Sequence, residues 1–283
     1  MTLVVREVGA SALVQDRGRP GWAHLGVPRS GALDAPAAAL ANRLVGNEPE
    51  AACLEVLLGG LVVTSEDGVW FAVTGSPCPV WIDRRPRDFG AAVRLAPGEE
   101  LRLGRPGTGL RSYVAFSGGI AVEPVLGSRS TDTLGQVGPP PVRAGVRLAL
   151  GVPAGPPAAA DTLRPPAQGP LRVTVGPRAD RVAGDVLDRL CRTSYTVSPD
   201  SDRVGLRLLG EPLPLAREDE LPSEGIVLGA VQVPPDGRPL VFLADHPTTG
   251  GYPVVAVVDP GDLWQCAQLR PGESVAFMRA ARR

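Results

Sequence analysis

Hydrophobic positions along the 283-residue chain fall mostly into short, β-branched runs cut by glycine and proline. The runs are TLVVREV, GGLVVTS, WFAVTG, PVWID, RSYVAFSG, LRVTVG, IVLGAVQV, PLVFLAD and YPVVAVV. Runs of this length bounded by turn residues predict strands. Segments of crossover-helix length rarely separate them, which favours hairpins and barrels over a parallel α/β sheet. Three helices are predicted within this β frame. Asp34 caps one over about 35–45, with Pro36 in its first turn and Gly46 as its stop. Val182, Val186 and Leu190 recur at helical spacing and mark a second, weakened by Gly184. Asp259 and Pro260 start the third, which Pro271 and Gly272 end.

Proline crowds the stretch from Pro153 to Pro170, removing the backbone donors that a β ladder needs. The expected organisation is therefore an N-terminal β domain over 1–160 and a C-terminal β-barrel domain over 170–283, with 153–170 as the linker. The two sides echo one another in Leu95-Ala-Pro-Gly-Glu-Glu-Leu-Arg-Leu103 and Leu269-Arg-Pro-Gly-Glu-Ser-Val-Ala-Phe277. A turn followed by a strand on each side suggests duplicated barrels.

Composition narrows the chemistry. The chain has no lysine, so none of its 283 residues can carry biotin, form a lysine Schiff base or serve as a phosphate-loop lysine. The net charge of -1 supplies no field for nucleic acid or an anionic membrane surface. Cys53, Cys78, Cys191 and Cys266 form no C-x-x-C pair, and the only histidines are His24 and His246, so a metal site is not expected. Arg6 and Glu7 interrupt the N-terminal apolar stretch, and no run has the ~18 apolar residues of a membrane span. A cytoplasmic setting with reduced cysteines is the expectation.

Three segments concentrate polar groups. The first runs from Val14-Gln-Asp-Arg-Gly-Arg19 through His24 and Arg29 to Asp34. Arg17, Arg19 and Arg29 could form a bidentate receptor for a carboxylate or phosphate, with Asp16 orienting an arginine or acting as a base. A turn held by an Asp-Arg pair explains the same residues. The second is Gly127-Ser-Arg-Ser-Thr131, whose backbone N–H groups, Ser128, Ser130, Thr131 and Arg129 suit an anion, or else a hydroxyl-rich hairpin. It does not match the phosphate-loop motif, and no histidine base stands near its serines in sequence. The third joins Arg203 and Gln232 to Asp245-His-Pro-Thr-Thr-Gly-Gly-Tyr252. Asp245 and His246 are its acid–base candidates, and Thr248, Thr249 and Tyr252 its binding candidates, unless His246 merely belongs to a capped turn.

The ordered segments VQDRGRPGWAHLGVPRSGALD, ANRLVGN, GGIAVEPVLGSRST, SDRVGLRL, GAVQVPPDGRPLVFLAD and TTGGYPVVAVV resemble one family over nearly the whole chain. It is the family of the 5-oxoprolinase C subunit, also described as the biotin-dependent carboxyltransferase A/B subdomain and as allophanate hydrolase subunit 2. The resemblance implies two cyclophilin-like β barrels with a few short helices. It implies partner subunits A and B and a reaction that opens 5-oxo-L-proline to L-glutamate with ATP, held by this chain or elsewhere in the complex. The alternatives it leaves are the transferase part of a biotin-dependent urea or amide carboxylase, with biotin on another chain, and a regulatory protein that sequesters a kinase inhibitor. Two departures stand out. Where relatives read DRMGYRL this chain has Asp202-Arg-Val-Gly-Leu-Arg-Leu208, and Leu134-Gly-Gln-Val-Gly-Pro-Pro-Pro-Val-Arg143 replaces the Gly-Gly pattern after the second polar segment.

Overall fold

The computed structural model describes residues 1–158, 168–216 and 221–281. Half of the expected linker, residues 159–167 with Pro165 and Pro166, lies outside the described residues. Contacts divide the chain into two compact units. The first comprises Met1–Arg19, Ser30–Asp132 and Gln136–Pro165; the second comprises Pro20–Arg29, Thr133–Gly135 and Pro166–Arg283.

Unit 1 contains β1 (Thr2–Glu7), β2 (Ser11–Gln15), α1 (Ala35–Leu44), β3 (Cys53–Leu57), β4 (Val62–Ser65), β5 (Val69–Gly75), β6 (Val80–Ile82), β7 (Arg85–Arg87), β8 (Val93–Leu95), β9 (Glu100–Leu103), β10 (Arg111–Phe116) and β11 (Arg147–Ala149). These pair as two sheets, β11-β1-β4-β9-β6-β7 and β2-β3-β10-β5-β8. Leu3, Val5, Val63 and Leu101 from the first sheet meet Val14, Leu54, Val56, Phe71 and Val114 from the second in one buried core. The second sheet is covered on its other face too, where Cys53, Ala72, Tyr113 and Ala115 pack with Ala38, Ala41 and Leu44 of α1. Every residue of β10 is consequently buried, as expected of a strand covered on both faces. Asp34 caps α1, its carboxylate accepting from Ala37 N at 3.0 Å.

Unit 2 contains β12 (Leu171–Val175), α2 (Val186–Arg192), β13 (Tyr195–Val197), β14 (Gly205–Leu209), β15 (Glu224–Gly225), β16 (Ala230–Gln232), β17 (Leu240–Phe242), β18 (Thr249–Gly250), β19 (Val254–Val258), α3 (Leu263–Cys266), β20 (Ser274–Val275) and β21 (Phe277–Arg279). Its main sheet runs β20-β13-β14-β17-β16-β19-β12-β21. The edge strands β20 and β21 are separated in sequence only by Ala276, whose carbonyl accepts from Leu171 N at 2.9 Å. One continuous segment thus joins both edges, nearly closing a barrel and leaving little unpaired backbone there. The fold is mainly β with a few short helices.

Several predicted elements are shorter than their sequence pattern suggests. Gly184 adopts φ +77°, so Val182 stays outside the second helix and Asp185 caps it instead. Gly229, at φ +82°, turns the IVLGAVQV run so that only Ala230–Gln232 forms a strand. The third helix is a single 3₁₀ turn, Pro260–Asp262, followed by α3. The two echoing nonapeptides have the same turn chemistry. Ala96 N donates to Glu99 Oε2 at 2.7 Å and Arg270 N to Glu273 Oε2 at 2.8 Å. Each turn places a Pro before a Gly at φ +82° (Gly98) or +87° (Gly272), the arrangement of a type II turn.

Candidate functional site

Two carboxylates organise the polar segments, one in each unit. In unit 1, Asp16 follows β2, is half-buried, and is met by the Ser128–Ser130 segment. Its Oδ1 accepts from Gly18 N at 2.7 Å and from the Ser128 and Ser130 hydroxyls at 2.6 Å each. Its Oδ2 accepts from Arg129 N at 2.6 Å. Ser130 Oγ in turn accepts from Asp16 N at 3.0 Å, and Ser128 Oγ accepts from Ser130 N at 3.0 Å. The loop predicted as an anion nest is therefore a nest whose anion is Asp16. Its approach is shaped by Leu126 and Gly127, at φ +52° and +80°. Charge-assisted bonds at these distances are the stronger kind.

The surrounding residues extend this centre. Thr131, 2% exposed, donates its N–H to Val14 O at 2.9 Å, and its carbonyl accepts from Gln15 Nε2 at 2.9 Å. Arg19 is 1% exposed and donates to the Ser130 carbonyl. Arg129 Nε donates to Val122 O at 2.7 Å. Asp16, Arg19, Ser128, Arg129, Ser130 and Thr131 are thus brought together. Arg17 is not among them, being exposed and paired with Glu50 at 2.9 Å. Arg29 is exposed in the 20–29 segment.

In unit 2, Asp245 is wholly buried beside Arg203. Arg203 Nε reaches Oδ2 at 2.9 Å, and its terminal nitrogen reaches Oδ1 at 3.2 Å. Thr133 adds its N–H at 3.0 Å and its hydroxyl at 2.6 Å to Oδ2. Burial opposes ionisation of Asp245, but Arg203 and Thr133 outweigh it and hold the carboxyl below its ordinary value. Thr133 was not foreseen, although it stands only two residues beyond the Gly127–Thr131 motif.

His246 is buried, with Nδ1 2.7 Å from the Pro247 carbonyl and its ring 6.0 Å from that of Phe242. A carbonyl only accepts, so Nδ1 carries the hydrogen and the neutral ring keeps its lone pair on Nε2. Burial lowers the His246 pKa below its usual value, against the opposing effects of Pro247 and Asp245. Gln232 is buried and donates to the Tyr252 carbonyl at 3.0 Å. Thr248 is half-buried, its carbonyl accepting from Ile226 N at 2.9 Å. Thr249 is exposed on β18, and Tyr252 is also exposed.

Chemically, the two aspartates differ from His246. Each has both oxygens engaged by donors, which suits holding loops in place. His246 offers a lone pair. The Ser128–Ser130 nest does not fit a nucleotide phosphate as well, because Asp16 fills it. Among the described residues no cluster of His, Cys, Asp or Glu could hold a metal ion, and no helix is long and apolar enough to cross a membrane.

Fold and centres together define a two-unit β-sheet protein whose polar loops are pinned by hydrogen-bonded carboxylates. The family model for the carboxyltransferase domain, subdomain A and B, matches residues 25–279, and the chain belongs to that family. It is similar to the C subunit of 5-oxoprolinase from Escherichia coli strain K12, with 36% identity over 290 residues, 99% of this chain and 91% of that protein. It is also similar to the urea amidolyase of Lachancea kluyveri, at 31% identity over 97% of this chain but 17% of that protein. The crystal structure of the K. lactis urea amidolyase matches with a TM-score of 0.93 and 29% identity, covering 99% of this chain and 19% of that one.

Proposed function

We propose that this chain is the C subunit of an ATP-dependent 5-oxoprolinase, opening 5-oxo-L-proline to L-glutamate together with subunits A and B. The end-to-end match to the E. coli protein, 99% of one chain on 91% of the other, carries this reading. A lactam is a stable amide, so its opening is coupled to ATP: phosphorylation of the carbonyl oxygen lets water attack the ring carbon. The C–N bond then breaks as the nitrogen takes up a proton and leaves as the amine, and hydrolysis of the resulting acyl phosphate yields the carboxylate of L-glutamate and phosphate. Negative charge accumulates on oxygen through these steps, which preorganised donors stabilise.

Within that reaction, His246 acts as acid–base through Nε2, and Asp16 and Asp245 position Arg129 and Arg203 instead of transferring protons. The substrate- and anion-binding candidates are Arg19, Ser128, Arg129, Ser130 and Thr131 within unit 1, and Arg203, Gln232, Thr248, Thr249 and Tyr252 within unit 2; Arg17, exposed and paired with Glu50, is left out. ATP is held elsewhere in the complex, since the nest here is filled by Asp16.

Reconstitution with candidate A and B subunits tests the proposal. The complex should release glutamate and ADP together from 5-oxoproline, whereas the isolated chain should neither open the lactam nor bind ATP. A full complex inert toward 5-oxoproline sinks it. The match to urea amidolyase supplies the second reading. Biotin-dependent carboxylation of urea, with biotin on a separate carrier and no lactam opening, would select that reading.

A further inference from the structure

A buried polar group with no place in the sequence motifs stands behind the Asp16 centre. Glu55, on β3, is 3% exposed and lies directly across from Tyr113 on β10. Its Oε2 accepts from the Tyr113 hydroxyl at 2.8 Å and from Leu33 N at 3.1 Å. The Tyr113 hydroxyl accepts from Asp34 N at 2.8 Å. Arg111 Nε is 3.5 Å from Oε1. Burial, followed by the nearby Glu55 charge, pushes the Tyr113 phenol up, so it stays protonated and keeps donating. Two consecutive N–H groups, Leu33 and Asp34, are therefore held by side chains of the sheet.

The same segment grips the Asp16 loop from its other end. Ala32 N donates to Asp16 O at 3.0 Å. Gly31, at φ +98°, lies so close to the backbone that an added Cβ would sit 2.9 Å from both Arg17 C and Gly18 N. Residues 31–34 are thus a clamp whose far side is set by Glu55 and Tyr113 and whose near side is the Asp16 backbone. A packed core alone does not need a buried carboxylate at this point, because apolar side chains fill a strand face without one.

We propose that Glu55 is a positioning residue for the Asp16 centre, acting through Tyr113, Leu33 and Ala32 on the loop that receives the Arg129 N–H. Its relevance to turnover rests on the 5-oxoprolinase reading; the structural coupling does not. Glu55→Gln cannot satisfy both sides of the clamp. With its oxygen toward Leu33 N it turns an amide group to Arg111, and with the reverse orientation it opposes Leu33 N–H. Tyr113→Phe removes the shared hydroxyl with less change in charge, and Leu101→Ala in the core serves as a control of comparable loss in melting temperature.

Amide hydrogen exchange on the isolated full chain tests the coupling. Glu55→Gln and Tyr113→Phe should speed exchange at Leu33 and Asp34 and, with them, at Ala32 and Arg129, by about tenfold or more, while the β5–β10 ladder keeps its protection. Faster exchange at Leu33 with unchanged Ala32 and Arg129 overturns the proposal. In the reconstituted complex both variants should lower kcat at least about tenfold with KM nearly constant, while Leu101→Ala retains kcat. Equal kcat losses in the control and the two variants also overturn it. If the wild-type complex leaves 5-oxoproline intact, the functional reading fails and the exchange result still decides the coupling.

Discussion

Replacing Asp245 by alanine gives a quantitative test of the unit 2 centre. The change leaves Arg203, whose side chain is 6% exposed, without its carboxylate, and removes the acceptor of both Thr133 donors. Breaking a buried ion pair from one side costs about 3–5 kcal/mol, because a charge stays in a poorly hydrated site. The effect can be read at the Leu243 amide, which donates to Val204 O at 2.9 Å beside Arg203. At 1.4 kcal/mol per factor of ten, its exchange should accelerate roughly a hundred- to several-thousand-fold. The double variant D245L/R203M removes both charges and should recover most of the protection, since apolar replacement of a buried pair is often close to neutral. An acceleration below about fivefold for D245A, or a double variant no better than the single one, would refute the assignment of Asp245 as the counter-charge that Arg203 requires.

Two further expectations follow from the same geometry. Asp16→Asn should destabilise unit 1 by about 2–4 kcal/mol, because the amide must oppose either Arg129 N–H or Gly18 N–H and the charge assistance is lost; urea titration measures it, and a loss below about 0.5 kcal/mol would contradict the nest. The pH profile should have two parts. The lowered folded pKa of His246 means that the unfolded chain takes up the proton more readily, so stability is full above 6.5 and declines as pH falls toward the folded value. His246→Gln should flatten that decline in a melting-temperature series, and in the reconstituted enzyme it should lower kcat by about a hundredfold or more. Asp245 acts by the same sign lower down: its contribution is present above the ordinary value of 3.8 and vanishes as pH drops through the depressed folded value. A parallel decline in wild type and H246Q as pH falls below 6.5 would remove His246 from the account.

Local signals carried most of the fold. The Asp34 cap and Pro36 start α1 within one turn of the expected place, because capping needs only neighbours. The strand runs were legible for the same reason, and Gly184 and Gly229 shortened elements through φ values that the pattern of apolar positions does not encode. The sites were legible as segments and illegible as pairs. Asp16 and Ser128 are 112 residues apart, and nothing local tells an aspartate that orients an arginine from one that fills a distant nest. Glu55 was missed because CLEVL is not among the predicted strand runs, its glutamate interrupting a short apolar stretch, and only α1 packing on the second face of the sheet accounts for the burial of that carboxylate. The one available hint was RSYVAFSG, whose lack of a charged face after Arg111 points to cover on both sides.

The absence of lysine has a sharper meaning once the contacts are known. The buried arginines serve planar or branched acceptor sets: Arg203 uses two nitrogens on one carboxylate, and Arg19 reaches the Ser130 and Val125 carbonyls. An ammonium is a single compact charge and cannot reproduce either fork, so Arg→Lys is a real loss at these positions even though charge is conserved. At Arg17, exposed in a surface pair with Glu50, the same change should be close to neutral, since such pairs contribute about 0–1 kcal/mol. The all-arginine composition is therefore a structural requirement at Arg19 and Arg203 and only a habit of the sequence at Arg17. R203K and R17K, compared by the exchange of the Leu243 amide, separate the two: the first should accelerate it by at least about tenfold, and the second should leave it unchanged.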